Sequence, residues 1–331
     1  MLLEFDADQR LWQQTVRDAV TRHCPASLIR GIAEKGADPA PLWKLYVEQG
    51  WTELADPQNA VELAIVCEDL GRATDPTPFL ATVTQFAPLA GERYAADCPG
   101  AALYSGITSH RDGDGWVLSG TARHVLDGDR AERLAVVTDG GVFVVDAALA
   151  STARSPAFDP VLHIADVSLP GVRVGESDRV ADADPERARH VALTGVAIST
   201  VGACQRALEL VLAHVGDRQQ FGVPIGSFQA VAHKAVDMYV AIERARALAY
   251  FAALTISADD PRRRLAAAMA KAAAGDCQSV VFRHGIQLFG GMGFTWENDV
   301  QFALKRAKAG ELMLGGAAEH RALIADEYRG L

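Results

Sequence analysis

The sequence predicts a mostly helical α+β fold: an N-terminal helical domain over residues 1–99, a small antiparallel β domain over 100–180, and a C-terminal four-helix bundle over 181–331. Three observations predict it. Apolar residues recur at helical spacing at both ends of the chain. Short β-branched runs alternate with turn residues in the middle. From Asp184 onward the apolar runs are long and the breaks between them short, a bundle pattern. The composition permits such a fold: 331 residues, 49% of them hydrophobic, give a sizeable core.

At the start, Asp6 and Asp8 precede Leu11, Trp12, Val16, Ala19 and Val20, which share a helix face. Met1 to Asp8 carries acid where a targeting peptide carries base. A second helix is predicted from Val61 to Leu70, stopping at Gly71. Thr77-Pro78 opens a third, with Phe79, Leu80 and Val83 on one face.

In the middle, Trp116-Val117-Leu118 follows the turn Asp112 to Gly115. Leu134 to Val137 and Val142 to Val145 flank Asp139-Gly140-Gly141, a hairpin signal. Val167-Ser168-Leu169 adds a strand before Pro170-Gly171.

In the last part, Asp184 suits an N-cap, Pro185 the first helical position and Glu186 the positive end of the dipole. That helix is expected to stop at Gly216. Ser227 is expected to cap the next, Pro261 to open an Ala-rich third, and a fourth to end near Tyr328.

Charge and cysteines narrow the function classes. A net charge of −10 argues against nucleic acid or an anionic membrane as the partner. No uninterrupted apolar run long enough for a membrane span is read in the sequence. The five cysteines are odd in number and form no CxxC pair, which fits free thiols in a reducing cytoplasm. Cys204 and Cys277 read as core residues of Ala-rich helices. No metal-ligand spacing and no nucleophile elbow is present. His110-Arg111-Asp112 copies a kinase triplet without its companions and reads as a charged turn.

Two constellations can carry chemistry. The first is Asp217-Arg218-Gln219-Gln220-Phe221-Gly222, followed by Gln229. An Arg on a Gly-containing loop, beside a helix N-terminus, can meet a pyrophosphate. A solvated interhelical loop has the same spacing. The second is Gln287-Leu288-Phe289-Gly290-Gly291-Met292-Gly293-Phe294, where glycines let a backbone approach a phosphate, another subunit or a tight turn.

Together with Gln205-Arg206-Ala207-Leu208, Ala270-Lys271 and Gly275-Asp276, these motifs resemble the C-terminal domain of acyl-CoA dehydrogenases, over about Asp184 to Tyr328. Glu68-Asp69-Leu70-Gly71-Arg72-Ala73 resembles a helix end of that family's N-terminal domain. The resemblance implies the acyl-CoA dehydrogenase fold and FAD as cofactor, shared across a subunit interface. It assigns Arg218, Phe221, Gln229, Gln287, Gly290 and Gly291 to the ADP half of a neighbouring subunit's flavin. It also implies an acyl-CoA substrate, α,β-dehydrogenation, and an electron-transfer flavoprotein as acceptor.

The family's other functional residues have no match. Its base, a Glu in a Tyr-Glu-Gly-Thr-like turn, falls on Leu314, or on Gly315 with a one-residue slip. The alternative base position falls near Ala192, with His190 the nearest titratable group. The Trp-x-Thr beside the flavin ring is His124-Val125-Leu126. No catalytic residue is therefore expected in this chain. The pattern resembles the base-less, shortened subunit of heteromeric (α2β2) steroid-type acyl-CoA dehydrogenases, paired with a catalytic subunit. Two alternatives stand beside it: a homo-oligomeric enzyme using Glu319 or His320 as base, and a flavin-free structural or binding homologue.

Overall fold

The computed structural model describes residues 4–329. Met1, Leu2 and Leu3, part of the acidic start noted above, lie outside the described residues, as do Gly330 and Leu331. In chain order the helices are α1 (Ala7–His23), α2 (Ala26–Lys35), α3 (Ala40–Glu48), α4 (Ala60–Ala73), α5 (Phe79–Ala81) and, beyond a π-helical turn at Thr82–Phe86, α6 (Ala87–Ala90). The strands β1 (Gly100–Leu103), β2 (Ile107–Asp112), β3 (Gly115–Leu126), β4 (Arg133–Thr138), β5 (Gly141–Asp146), β6 (Ser151–Ser155), β7 (Ile164–Val174) and β8 (Arg179–Val180) follow. The chain closes with α7 (Pro185–Asp217), the short ribbon β9 (Gln219–Gln220) and β10 (Val223–Pro224), then α8 (Gln229–Ser257), α9 (Arg263–Phe289), α10 (Val300–Leu312) and α11 (Ala317–Arg329).

The chain forms two compact units. One is built from residues Met1–Lys35, Gln58–Asp75 and Leu193–Leu331; the other from Gly36–Pro57 and Pro76–Ala192.

In the helical unit, the Asp6 carboxylate accepts from the Gln9 N–H at 2.8 Å, and Gln9 reaches back to the Asp6 N–H, a capping box. α8 and α9 pack along each other, and small residues on both, such as Ala245, Ala249, Ala266 and Ala270, are buried. Two glycines let α4 cross α7. A Cβ on Gly202 would lie 1.9 Å from the Glu68 carbonyl oxygen, and one on Gly71 would lie 2.0 Å from that of Ser199. α4 therefore does not stop at Gly71. It continues to Ala73 and ends on Thr74 at φ 61°. Gly71 serves close packing rather than termination.

The same unit holds a buried polar network. The Glu68 carboxylate accepts from Arg246 Nε at 2.8 Å and from the Tyr250 hydroxyl at 2.8 Å, and Arg246 also donates to Gln205 Oε1 at 2.9 Å. α7 is long and apolar enough to cross a membrane by length and composition alone. However, 67% of its most apolar stretch is buried inside the protein, as in a core helix.

The β unit contains two four-stranded sheets, ordered β1-β4-β5-β8 and β2-β3-β7-β6. The predicted hairpin is present, with Val137 opposite Val142 and Thr138 opposite Gly141. One pair, β1 with β4, is parallel, because β2 and β3 intervene in the chain and lie in the other sheet. Leu134, Val136, Phe143 and Val145 face the second sheet's Leu118, Val167 and Leu169. Ala135, Val142 and Val144 face Phe86 and Leu89. Both faces of β4 and β5 are therefore buried, which is why they read as unbroken apolar runs rather than alternations. β7 does not end before Pro170-Gly171. It passes through them with a register shift opposite Leu118/Ser119, and Gly171 sits at φ 83°.

The last segment has five helices among the described residues rather than four. A break at residues 313–316 separates α10 from α11. Asp184 caps α7 as expected, its carboxylate accepting from the Arg187 N–H at 3.0 Å. α7 runs one residue past Gly216.

Candidate functional site

The last turn of α7 hands the chain to a tight ribbon. The Arg218 N–H donates to the His214 carbonyl at 2.9 Å, and the Ile225 N–H to the Arg218 carbonyl at 2.8 Å. Gln220 pairs with Val223, leaving Phe221 and Gly222 as the two turn residues at φ 55° and 83°. Two positive φ values in a two-residue hairpin loop define the primed turn. Glycine adopts that conformation freely. Phe221 adopts it at a steric cost and yet is 92% exposed.

α8 then begins at Gln229. The expected Ser227 cap is not formed. Phe228 occupies the N-cap position without a side-chain hydrogen bond, and the Ser227 hydroxyl donates to the Pro224 carbonyl at 2.7 Å. Ser227 lies in a short 3-10 turn that precedes the helix, so its hydroxyl serves that turn. The first amides of α8 are left without a side-chain acceptor from the N-cap residue.

The second constellation closes α9. Gln287 is exposed in the last turn. Gly290 stops the helix at φ 60°, ψ −140°, a region open to glycine. Neither requirement applies to Gly291. Its φ is not in the left-handed region, and a Cβ there would meet nothing within 4 Å.

A ring stack links the helix ends that carry the two constellations. The His214 and Phe289 rings stack with centroids 4.5 Å apart and planes 15° from parallel. The end of α7 and the end of α9 are thus brought side by side. Burial and the neighbouring Arg218 guanidinium hold His214 below its ordinary pKa, so the ring stacks in its neutral form near neutral pH.

All six candidate residues Arg218, Phe221, Gln229, Gln287, Gly290 and Gly291 are exposed. Among the described residues, the side chains of Arg218, Gln229 and Gln287 make no hydrogen bond and no ion pair. This is an unusual set for a chain with so many paired arginines. An unpaired guanidinium, two unpaired amides, helix-end N–H groups and bare glycine backbone match the donor set an ADP moiety needs.

The positions expected to lack a base are also defined. Leu314 sits at φ 57° and Gly315 at φ 98° in the turn between α10 and α11. The buried Lys271 ammonium pins this turn, donating to the Glu311 carbonyl at 2.9 Å and the Gly315 carbonyl at 2.7 Å. His320 is buried, with Nε2 3.1 Å from the Leu314 carbonyl. Glu319 folds back over the turn: a Cβ on Gly315 would meet its carboxylate oxygens at 2.7 and 2.9 Å. Ala192 and His190 are buried on α7. In the β unit, His124 is exposed on a bulge at φ 56°, its N–H donating to Asp166 at 3.1 Å.

Sequence reasoning missed the contacts of Lys271 with the Glu311 and Gly315 carbonyls and of Arg30 with residues 296–299, because these partners lie far along the chain. The sequence signals for Lys271 were its place in the Ala270-Lys271 motif and a charge inside an Ala-rich stretch.

The acyl-CoA dehydrogenase C-terminal domain profile matches residues 190–328. The chain is 31% identical over 324 residues to acyl-CoA dehydrogenase IpdE2 of Mycolicibacterium smegmatis, a match covering 94% of this chain and 96% of that protein. Its backbone superposes on a chain of the ChsE4-ChsE5 complex from Mycobacterium tuberculosis with a TM-score of 0.89, at 22% identity and full coverage of both (100% and 100%). It superposes on a variant of the Tcur3481-Tcur3483 steroid ACAD with a TM-score of 0.86, at 25% identity and 96% and 97% coverage.

Proposed function

This chain belongs to the acyl-CoA dehydrogenase family of oxidoreductases, and on that footing we propose that it is the non-catalytic subunit of a heteromeric, FAD-dependent member. In this reading it supplies contacts to the ADP half of the flavin held by a catalytic partner subunit. The residues are Arg218, Phe221, Gln229, Gln287, Gly290 and Gly291. The observation that carries it is Gly291. Its backbone is exposed, a Cβ there would meet nothing within 4 Å, and it stands beside the exposed side chain of Gln287, which leaves room for a group from another subunit to approach.

Arg218 would neutralise pyrophosphate charge, and the α8 N-terminus with Gln229 would add N–H donors. Gln287 would donate an amide from the end of α9. When bound, the flavin supplies the hydride acceptor for α,β-dehydrogenation of an acyl-CoA. Neither Leu314 nor Gly315 can accept the α-proton, so that step falls to the partner.

Assembly is supported by an apolar stripe on α8. Val236, Tyr239 and Val240 share one helix face and are each more than half exposed, at 56%, 54% and 58%. A bulky, steroid-derived acyl-CoA and an α2β2 arrangement are supported by the likeness to the steroid ACAD and to the ChsE4-ChsE5 complex. An electron-transfer flavoprotein completes the proposal as acceptor, and the proposed domain limits remain 1–99, 100–180 and 181–331.

The test is the FAD content of the complex co-expressed with its partner. Replacing Arg218 with Ala removes one charge-assisted phosphate contact, about 1.5–3 kcal/mol, and should weaken FAD binding roughly tenfold or more. Unchanged FAD affinity in an assembled R218A complex would remove the cofactor role and favour a flavin-free structural homologue.

A second reading has one observation in its favour. The Glu319 carboxylate lies against Gly315, in the turn where the resemblance locates a base. A homo-oligomer using Glu319 would keep its own activity, and Glu319→Gln would abolish it. His320 is not a candidate of this kind, because its ring is buried against the Leu314 carbonyl.

A further inference from the structure

The glycine segment after α9 is anchored at both ends, and the two anchors differ. At its start it continues from α9, where Gly293 packs against Phe289 and Ile286. At its far end it is held by side chains of α2, more than 260 residues earlier in the chain. Arg30 makes most of this second anchor. Its Nη1 donates to Glu34 Oε1 at 2.8 Å and to the Trp296 carbonyl at 3.0 Å. Its Nη2 donates to the Glu297 carbonyl at 3.3 Å and to Asp299 Oδ1 at 2.6 Å. The guanidinium also lies over the Phe302 ring, 5.4 Å from its centroid.

The Trp296 indole completes the clamp by donating to Glu34 Oε1 at 2.7 Å. Lys305 sits over the same indole at 4.6 Å, and Gln301 Nε2 donates to the Trp296 carbonyl at 2.8 Å. Between the two anchors lie Gly290, Gly291, Met292 and Phe294, all exposed and with little of the chain packed on them. A planar guanidinium can hold four acceptors in a fixed fan, which an ammonium cannot. Three of these acceptors lie on residues 296–299, remote in sequence from α2, and the fourth, Glu34 on α2 itself, also takes the Trp296 indole bond.

We propose that Arg30 is a positioning residue for the cofactor: with Glu34 and Trp296 it fixes the far end of the glycine segment, and so holds Gly290 and Gly291 in the conformation that receives the ADP half of FAD. The inference rests on the flavin reading above and adds α2 to that site. Arg30 itself need not touch the cofactor.

The experiment uses the co-expressed complex carrying Arg30→Ala or Trp296→Phe in this chain. Hydrogen–deuterium exchange is followed over residues 290–299, and FAD is titrated back into the flavin-free complex. R30A is expected to speed exchange in that segment and to raise the FAD dissociation constant, each by about tenfold. W296F should do the same more weakly. The melting point of the flavin-free complex is followed alongside, and W296F, which keeps the Arg30 bonds, is expected to leave it near wild type. If R30A does not assemble, W296F carries the test, because it removes only the indole–Glu34 bond and keeps an aromatic ring. Wild-type exchange rates in both variants would overturn the clamp, and so would a loosened segment that binds FAD normally. Failure of the flavin reading is separate, since it shows as R218A binding FAD like wild type.

Discussion

Phe221 holds φ 55° while 92% exposed, a conformation that costs on the order of 1 kcal/mol and that packing within the chain does little to offset. Gly291 shows the converse, a glycine where this fold would accept a side chain. Replacing Gly291 with Ala should therefore leave stability unchanged or raise it by about 0.4–1 kcal/mol. It should nonetheless weaken FAD binding in the complex, and denaturant melts beside FAD titrations separate the two effects. His214 reports on the same site. Arg218 helps to hold it below its ordinary value, so an anion bound on Arg218 should move its titration upward, as seen in its ring proton shifts with and without FAD and partner. Asp69 gives a test independent of flavin. Burial pushes its carboxyl up to about 6 from 3.8, against the pull of Arg17. The folded state thus binds a proton that the unfolded chain has released. The resulting stability, about 3 kcal/mol, is present at low pH and lost as pH rises through about 6. Asp69→Asn should flatten the difference between denaturant midpoints at about pH 5 and about pH 7.5. The motif residues were legible because Arg218, Gly290 and Gly291 sit in short local patterns. Their lack of partners was not, because pairing depends on what the fold brings near.

At the scale of elements, the crossing of α4 and α7 is set by two glycines. Gly202→Ala would drive a methyl into the Glu68 carbonyl, 1.9 Å away. It would also shift the helix that carries Glu68 and its bonds to Arg246 and Tyr250. The expected loss is about 1–3 kcal/mol or more, read from the denaturant midpoint. The helices were legible from their apolar period and from Asp6 and Asp184 as caps. Gly71 misled for a physical reason: a glycine inside a helix looks like a stop unless the helix packed against it is known. Ser227 misled because its hydroxyl had a nearer partner in Pro224. The break between α10 and α11 was missed because it depends on Lys271, which holds the Glu311 and Gly315 carbonyls from another helix. The parallel pairing of β1 with β4 lies outside any local signal, since strand order depends on how the whole unit closes.

For the whole molecule, the proposed function gives this chain one half of a flavin site without the family's usual base. The fold class was legible from the order of helices, strands and helices, and the family from motifs spread over the last 140 or so residues matched by its profile. The proposed division of labour rests on an absence, at Leu314, Gly315 and Ala192, and Glu319 beside Gly315 favours the alternative. The most direct measurement is the flavin absorbance and acyl-CoA dehydrogenase activity of the purified chain, alone and after co-expression with its partner subunit. The expected result is a colourless, inactive chain alone and a yellow, active complex holding half as many flavins as subunits. A yellow homo-oligomer of this chain with one flavin per subunit and full activity would contradict it.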